Sequence, residues 1–212
     1  ILGIKDNKVK QSLVKTREEA DKLIATFVTE KNDVYFGVAK FKSDVSRVKT
    51  NVEFLKALWV DIDCGESKAK VDERTGRPDG YIDQATAIVA LKTFCQTIGL
   101  PKPILVNSGR GIHAYWSFVS DVTREQWEPV AARLRDLCIT HNFYVDTKVF
   151  EAARGLRVPE TFNFKDNPPK PVRVILSAEA VEFQEIKNIL GVKETITAPP
   201  KTEMSAMGKA MM

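Results

Sequence analysis

Two aspartates follow an apolar stretch at a spacing that suits divalent-metal chemistry. In LWVDIDCG, Asp61 and Asp63 are two residues apart, and alternate side chains of a β-strand share a face. Their Cα atoms would be about 6.5–7 Å apart, close enough for both carboxylates to bind one or two cations. A solvated strand end is the alternative interpretation. The position at the tip of an apolar strand, just before Gly65, favours a cleft.

A glycine-rich stretch, SGRGIH at residues 108–113, has the composition of an anion-binding loop. Its glycines allow close backbone approach with exposed N–H groups, and Ser108, Arg110 and His113 offer hydrogen bonds to phosphate oxygens. On the strand that should follow, His113 and Tyr115 lie on the less apolar face. An ordinary glycine-rich hairpin with a hydrogen-bonded histidine remains the alternative.

A third acidic residue, Asp146, lies in the segment FYVDTKVFEAARGLRVPETFNFK and is followed by Arg154, Arg157 and Lys165. An ordinary salt-bridged loop would have the same pattern. Taken with the first two aspartates, it supplies a third hard oxygen ligand, and the sequence has no Cys or His cluster. This donor set favours Mg²⁺ or Mn²⁺ over Zn²⁺.

Length and composition exclude several protein classes. The chain has 212 residues, of which 43% are hydrophobic and 28% charged, as expected for one globular domain or two small, closely packed ones. No apolar run approaches the ~20 residues that span a bilayer, and the N-terminus is unlike a signal peptide. We therefore expect a soluble, intracellular protein with no membrane partner. Cys64, Cys95 and Cys138 are widely spaced, which predicts reduced, mostly buried thiols.

The charge distribution and the two ends of the sequence give further expectations. The net charge is a mild +4, but no acidic residue occurs between Asp83 and Asp121, so that stretch is permissive for an anionic ligand. The sequence lacks an initiating Met and ends in APPKTEMSAMGKAMM. We expect a domain over residues 1–197 and a linker or tail over residues 198–212 toward a further C-terminal region.

Hydrophobic periodicity and capping patterns predict an α+β (mixed α/β) fold. Helices are predicted at residues 17–30, 84–98, 123–139 and 177–190, beginning at Thr16, Asp83, Thr123 and Ser177. Strands are predicted at residues 33–41, 54–63, 103–107, 112–118 and 171–176. Residues 103–118 would form a hairpin, so an antiparallel or mixed sheet is favoured over a doubly wound parallel one.

The order of these motifs resembles a known family. The Asp61–Asp63 pair, then SGRGIH, then Val145-Asp146 followed by ARGLRVPETFNFK is similar to the archaeo-eukaryotic primase (AEP) superfamily. The resemblance is to the primase-polymerase domains of viral, plasmid and mobile-element replication proteins, and it spans about residues 35–176. It implies a catalytic module related to the RNA-recognition-motif (RRM) sheet, packed on an N-terminal α/β unit.

The resemblance also implies roles for single residues. The catalytic metal ligands for two Mg²⁺ or Mn²⁺ ions would be Asp61, Asp63 and Asp146. The nucleotide-binding residues would be Ser108, Arg110, His113, Arg157 and Lys165. Two positions depart from the family pattern: Gly111 stands where many members have Ser, and Glu160 where members often have Gly. The zinc-binding module of some relatives is not encoded, so no zinc is expected.

The implied activity is template-dependent nucleotidyl transfer, as a DNA primase or DNA polymerase, by a two-metal mechanism. Its partners would be a single-stranded DNA template or primer-template, a dNTP or NTP, and a helicase domain or subunit. Two alternatives remain open. One is a metal-dependent phosphodiesterase or replication-initiation nuclease, which would need a water-activating base or a nucleophilic tyrosine such as Tyr144 or Tyr115, although the histidine pairs typical of such nickases are missing. The other is a non-catalytic nucleic-acid-binding domain, against which the intact acids argue.

Overall fold

The computed structural model describes residues 1–44 and 46–193. These residues form a four-stranded sheet, a seven-stranded sheet, a two-stranded hairpin and five α-helices. The helices are α1 (Arg17–Thr29), α2 (Glu66–Ala69), α3 (Gln84–Ile98), α4 (Arg124–Thr140) and α5 (Phe183–Ile189). The strands are β1 (Leu2–Lys5), β2 (Lys8–Gln11), β3 (Asp33–Gly37), β4 (Ala39–Phe41), β5 (Val52–Cys64), β6 (Val71–Asp72), β7 (Arg77–Pro78), β8 (Gly80–Tyr81), β9 (Ile104–Asn107), β10 (Gly111–Thr123), β11 (Gly155–Arg157), β12 (Thr161–Asn163) and β13 (Lys170–Leu176). Short 3₁₀ turns occupy Lys49–Asn51 and Thr147–Val149.

The larger sheet is built on two long antiparallel strands, β5 and β10. Its order is β12-β13-β9-β10-β5-β4, and the short β8 pairs with β5 in parallel. The β9–β10 pairing confirms the predicted hairpin across the glycine-rich stretch. The register of β10 against β5 sets His113 opposite Asp61 and Gly111 opposite Asp63. The acidic pair and the end of the glycine-rich stretch therefore meet on neighbouring strands.

The smaller sheet has the order β11-β3-β1-β2, and α1 packs against β3. The single strand predicted over residues 33–41 is in fact two strands in two sheets. β3 pairs with β1 and β11, whereas β4 pairs with β5 at the edge of the larger sheet. Between them, the Val38 N–H donates to the Arg154 carbonyl at 3.1 Å instead of to either sheet. A continuous apolar run thus links the two sheets.

Local capping rules predicted three helices well. α3 has the predicted limits, with the Asp83 carboxylate accepting from the Thr86 N–H at 2.7 Å and Gly99 in the left-handed conformation. α4 begins with the predicted capping box between Thr123 and Gln126. Thr16 caps α1. These ends are fixed by contacts within four residues, which the sequence displays directly.

The predicted start of the last helix at Ser177 is wrong. α5 begins at Phe183, six residues later. The preceding residues instead run beside β10, where the Val181 N–H donates to the Ser117 carbonyl at 2.8 Å and Val181 forms a parallel bridge with Phe118. This tertiary pairing uses backbone groups that a helical turn would need.

The core lies around the central strands of the larger sheet. Leu58, Val60 and Ile62 are buried, as the alternation predicted, and α3 and α4 pack on β5 and β10. The Trp59 and Trp127 rings stack at 4.7 Å between centroids. The α+β prediction is confirmed: the larger sheet forms one unit, and β1–β3 with α1 form a second unit whose sheet also takes in β11 from the C-terminal half of the chain.

Two class-level expectations can be compared with the described residues. The three cysteines are free, Cys95 and Cys138 being buried and Cys64 partly exposed. Among the described helices, none combines the length and apolarity needed to cross a membrane. The predicted tail over residues 198–212 lies outside the described residues, and the domain limit at residue 197 stays a prediction.

Candidate active site

One cavity of about 350 Å³ is lined by every site residue predicted from the sequence. These residues are Asp61, Asp63, Ser108, Arg110, His113, Asp146, Arg157 and Lys165. They come from β5, from β9–β10 and from the irregular chain around β11 and β12. The tertiary structure thus brings together three motifs that are separated by up to about a hundred positions in the sequence.

The third carboxylate is held beside the first two by the backbone. The Asp146 N–H donates to the Asp61 carbonyl oxygen at 2.9 Å. The Asp146 side chain also caps the turn that follows, accepting from the Lys148 N–H at 2.9 Å. An aspartate at the start of a tight turn is favoured for this reason. The turn therefore aims the Asp146 carboxylate at the end of β5.

Two of the three carboxylates have a basic partner, and the third does not. Lys68 Nζ lies 2.7 Å from Asp63 Oδ2, and an Arg154 guanidinium nitrogen lies 2.8 Å from Asp146 Oδ2. No lysine or arginine in residues 1–44 and 46–193 forms an ion pair with Asp61. Its Oδ1 atom lies 3.7 Å from the Nε2 atom of His113. Burial, and then the charges of Asp63 and Asp146, raise the pKa of Asp61 to about 7. A cation bound beside these carboxylates would therefore favour the ionised form of Asp61.

The donor set suits a hard divalent cation, although the described part of the chain holds no preformed ligand cluster of three or more His, Cys, Asp or Glu side chains. Carboxylate oxygens are preferred by Mg²⁺ and Mn²⁺. Burial and the charge of Asp63 raise the pKa of the adjacent Cys64 thiol to about 12, so Cys64 offers no thiolate at neutral pH. Lys68 and Arg154 occupy carboxylate positions that a metal would compete for.

His113 is a neutral hydrogen-bonding group in this cavity. The ring is buried, and burial together with Arg157 and Arg154 lowers the pKa of His113 to about 3. Its Nδ1 lies 3.1 Å from the Tyr115 hydroxyl, whose own pKa is raised by burial. When this hydroxyl donates to Nδ1, the ring proton is on Nε2, which faces Asp61. The structure therefore favours the neutral form of His113.

The glycine-rich turn is less open than the sequence predicted. The N–H groups of Ser108, Gly109 and Gly111 donate to the Gly111 carbonyl, the Asn107 Oδ1 and the Ser108 Oγ respectively. Gly109 adopts φ 90° against Asn163, and an added Cβ there would clash with the Asn163 side chain. Three backbone donors expected to bind an anion are therefore used inside the turn. An anion at this turn would therefore have to be bound by side chains.

Two of the predicted basic residues already have acidic partners. Arg110 makes two hydrogen bonds to the Asp166 carboxylate, at 3.0 and 2.8 Å. Buried Arg157 makes two to Asp33, at 2.9 and 3.2 Å, and lies over the Tyr35 ring. Among the described residues, Lys165 makes no ion pair. Lys165 is thus the predicted cation that is available to a phosphate without rearrangement.

A solved structure shares this arrangement of elements. The AEP domain of the primase-polymerase (PrimPol) of cyanophage S-2L superposes with a TM-score of 0.56 and 18% sequence identity, over 84% of this chain and 86% of that domain. The chain has the AEP-domain fold. No family model and no curated protein matches the sequence.

Several residues of this cavity were missed from the sequence. Lys68 and Tyr35 line it, and Asp166 and Asp33 hold two of its three arginines, Arg110 and Arg157. Arg154 was matched from the sequence to the family's Arg-x-x-Arg stretch without a role of its own, but it contacts Asp146 directly. The order of charges along the chain carries no signal for these contacts. The pairs of Arg110 and Arg157 join segments that are distant in sequence, while those of Lys68 and Arg154 depend on the short helix and the turn that follow each acid.

Proposed function

We propose that this chain catalyses template-dependent nucleotidyl transfer, as a DNA primase or DNA polymerase. The observation that carries the proposal is the single cavity in which three aspartates meet a buried histidine and a free lysine. The shared fold with a primase-polymerase domain supports the same class of reaction. Carboxylates for metal and neutral or cationic donors for phosphate are the parts that phosphoryl transfer requires.

Asp61, Asp63 and Asp146 would hold two Mg²⁺ or Mn²⁺ ions. The ions would stabilise the negative charge of Asp61 most, because this carboxylate has no lysine or arginine partner among the described residues. Such ions make a 3′-hydroxyl more acidic and stabilise charge on the phosphates. Lys68 and Arg154 neutralise the other two carboxylates before substrate binds. These two ion pairs reduce the electrostatic repulsion among the three neighbouring carboxylates.

The triphosphate would bind in the same cavity, through His113, Ser108 and Lys165. His113 would donate from Nε2, and Lys165 would contribute the full positive charge. Arg157 lines the cavity while Asp33 fixes its guanidinium, so it would act from a fixed position. Arg110 would reach a phosphate only by exchanging its contact with Asp166.

The DNA partner would be a single-stranded template or primer-template, and the nucleotide a dNTP or an NTP. A helicase domain or subunit, predicted from the family resemblance, stays a prediction. The catalytic domain would be residues 1–197 and the tail residues 198–212.

The tyrosine-nucleophile alternative has no support in the cavity. Neither Tyr144 nor Tyr115 lines it. Tyr144 lies against Tyr81 and the Arg77 guanidinium, and Tyr115 is engaged with His113. A tyrosine nuclease requires a hydroxyl that reaches the metal-bound phosphate, so we do not retain this reaction.

The test is nucleotide incorporation on a labelled primer-template and on an unprimed template, with dNTPs or NTPs and with Mg²⁺ or Mn²⁺. We expect extension by the wild type and none by Asp63→Ala or Asp146→Ala. Asp136→Ala, at an exposed residue paired with Arg135 on α4, is the matched control and should extend normally. No extension by the wild type with either metal, or full activity of an active-site variant, would overturn the proposal.

A further inference from the structure

A second cavity shares the acidic residues of the active site. It measures about 500 Å³ and is lined by Asp63, Lys68 and Asp146, which also line the first cavity. Its remaining lining includes the basic residues Arg74, Arg77 and Lys148, the acids Asp72 and Asp79, and the hydroxyl residues Thr75 and Thr147. We call this second cavity the basic cleft, for its three further basic residues. Asp63 and Asp146 thus border both cavities.

The basic cleft has a structured wall. After β5 the chain forms α2, the β6–β7 hairpin and β8, which returns to pair with the end of β5. Gly80 is opposite Asp63, and a Cβ at Gly80 would clash with the Asp63 carbonyl oxygen. In the hairpin turn, the Asp72 carboxylate accepts from the N–H groups of Arg74 and Thr75 at 2.7 and 3.0 Å. The close pairing and the capped turn fix the hairpin beside the acids.

Two basic side chains of the cleft are available to a ligand. Arg74 and Lys148 are exposed, one on each wall. Within the described residues neither makes an ion pair, whereas Lys68 is paired with Asp63 and the Arg77 guanidinium lies over the Tyr144 ring. Of the acids that line the cleft, Asp72 is used in the hairpin turn, while Asp63 and Asp146 belong to the proposed metal site. Asp79 is left as the one further carboxylate in the lining.

The reaction geometry places the attacking hydroxyl and the leaving pyrophosphate on opposite sides of the reacting phosphorus. In nucleotidyl transfer the 3′-oxygen bonds to the α-phosphorus while the bond to pyrophosphate breaks on the opposite side, and the hydroxyl proton passes to solvent. With the triphosphate on the His113 side, the 3′-hydroxyl must approach from the other cavity that contains Asp63 and Asp146. The basic cleft is that cavity.

On the basis of the function proposed above, we infer that the basic cleft binds the 3′-terminal segment of the primer strand. Arg74 and Lys148 would contact its backbone phosphates from the two walls, and Thr75 and Thr147 would add hydroxyl donors. Lys68 would lie at the junction of the two substrates, because it lines both cavities.

The first experiment measures binding without catalysis. Fluorescence anisotropy of a primer-template with a recessed 3′ end is recorded in EDTA, without nucleotide, over a salt series. We expect Arg74→Ala/Lys148→Ala to weaken binding on the order of tenfold at ~0.15 M salt and to reduce the log–log salt slope by about two, since each lost phosphate contact removes about 0.9. The control Lys92→Ala/Lys102→Ala removes the same charge from exposed residues outside the cleft. Equal binding by the two double variants would overturn the assignment.

The second experiment identifies the strand. A photoreactive group is placed either at the 3′-terminal primer nucleotide or in the template overhang, and crosslinked residues are identified by mass spectrometry. We expect the primer terminus to crosslink within residues 66–81 or at residues 147–148. Crosslinking of those residues to the template overhang instead would assign the cleft to the other strand and overturn the inference.

The two proposals fail in different ways. If the wild type binds and crosslinks as expected but incorporates no nucleotide, the proposed function is wrong and the cleft still binds a strand end. If the wild type extends primers but the Arg74→Ala/Lys148→Ala variant binds DNA like its control, the function stands and the cleft assignment is wrong. In the supporting case, the double variant raises the KM for primer-template and leaves the KM for nucleotide unchanged.

Discussion

The proposed metal site requires Asp61 to be ionised, although its surroundings favour the protonated form. Its pKa is raised to about 7 by burial and by the neighbouring carboxylates, against about 3.9 for an unfolded aspartate. Between pH 4 and 7 the folded protein therefore binds a proton that the unfolded chain has lost, and stability falls as pH rises through this window.

Asp61→Asn should consequently raise the Tm of the metal-free protein above pH 7, and this gain should disappear below pH 4. Mg²⁺ or Mn²⁺ at pH 8 should raise the Tm of the wild type and not that of the variant. Thermal unfolding with EDTA or metal across pH 4–8 measures both effects. If the Tm difference between the wild type and Asp61→Asn does not change with pH, the raised pKa of Asp61 is contradicted.

His113→Ala should raise the KM for nucleotide much more than it weakens template binding. A hydrogen bond to a charged phosphate contributes about 1.5–3 kcal/mol, so the expected rise is roughly tenfold to a hundredfold. Steady-state kinetics with varied nucleotide, beside a template-binding titration, measure the two effects. Loss of template affinity with an unchanged nucleotide KM would refute the role.

The lowered pKa of His113, about 3, gives a second test of the same residue. A ring that is neutral throughout pH 6–8 cannot lose charge there, so nucleotide KM should show no histidine titration in that range. The wild-type KM measured from pH 6 to 8 provides the comparison. A rise centred near pH 6.5 that vanishes in His113→Ala would show a cationic histidine instead.

At the scale of elements, the buried pair of Asp33 and Arg157 holds the site to the smaller sheet. Asp33 begins β3, Arg157 ends β11, and the Asp33 carboxylate also accepts from the Phe164 N–H at 2.8 Å. The two side chains are only 9% and 6% exposed. One carboxylate thus joins two strands to the segment that carries Lys165.

Asp33→Ala should destabilise the protein by about 3–5 kcal/mol, because it leaves a buried guanidinium without its partner. Asp33→Asn should cost less, since the amide keeps an acceptor oxygen. Urea unfolding of both variants tests this, with Asp21→Ala, at an exposed pair on α1, as control. A loss no larger than that of the control would show that the pair does not hold the sheets together.

For the whole molecule, the net charge of +4 predicts weak DNA binding. Non-specific affinity depends on neutralised phosphates and released counterions. We expect a Kd in the micromolar range or weaker at ~150 mM salt, with a log–log slope of about −2 to −4. A salt titration of a fluorescent primer-template measures it. Nanomolar binding with a steep salt slope would mean that positive charge is clustered on the DNA-binding surface, and the prediction from net charge would then be wrong.

The amino-acid sequence by itself determined the features that depend on short-range contacts. The limits of α3 follow from Asp83 and Gly99, and the burial of one face of β5 follows from its alternation. The three acids and the histidine could be proposed as site residues because their motifs are short and lie in a recognisable order. Such signals are complete within a few residues, so no knowledge of distant neighbours was needed.

Only the tertiary structure decided which charges remain available. Arg157 is paired with a residue 124 positions away, and Arg110 with one 56 positions away. The neutral state of His113 results from burial beside two arginines, and the run at residues 33–41 divides because each half meets a different sheet. Electrostatic energies and backbone pairing depend on distance in space, and the chain order does not contain those distances until it has folded.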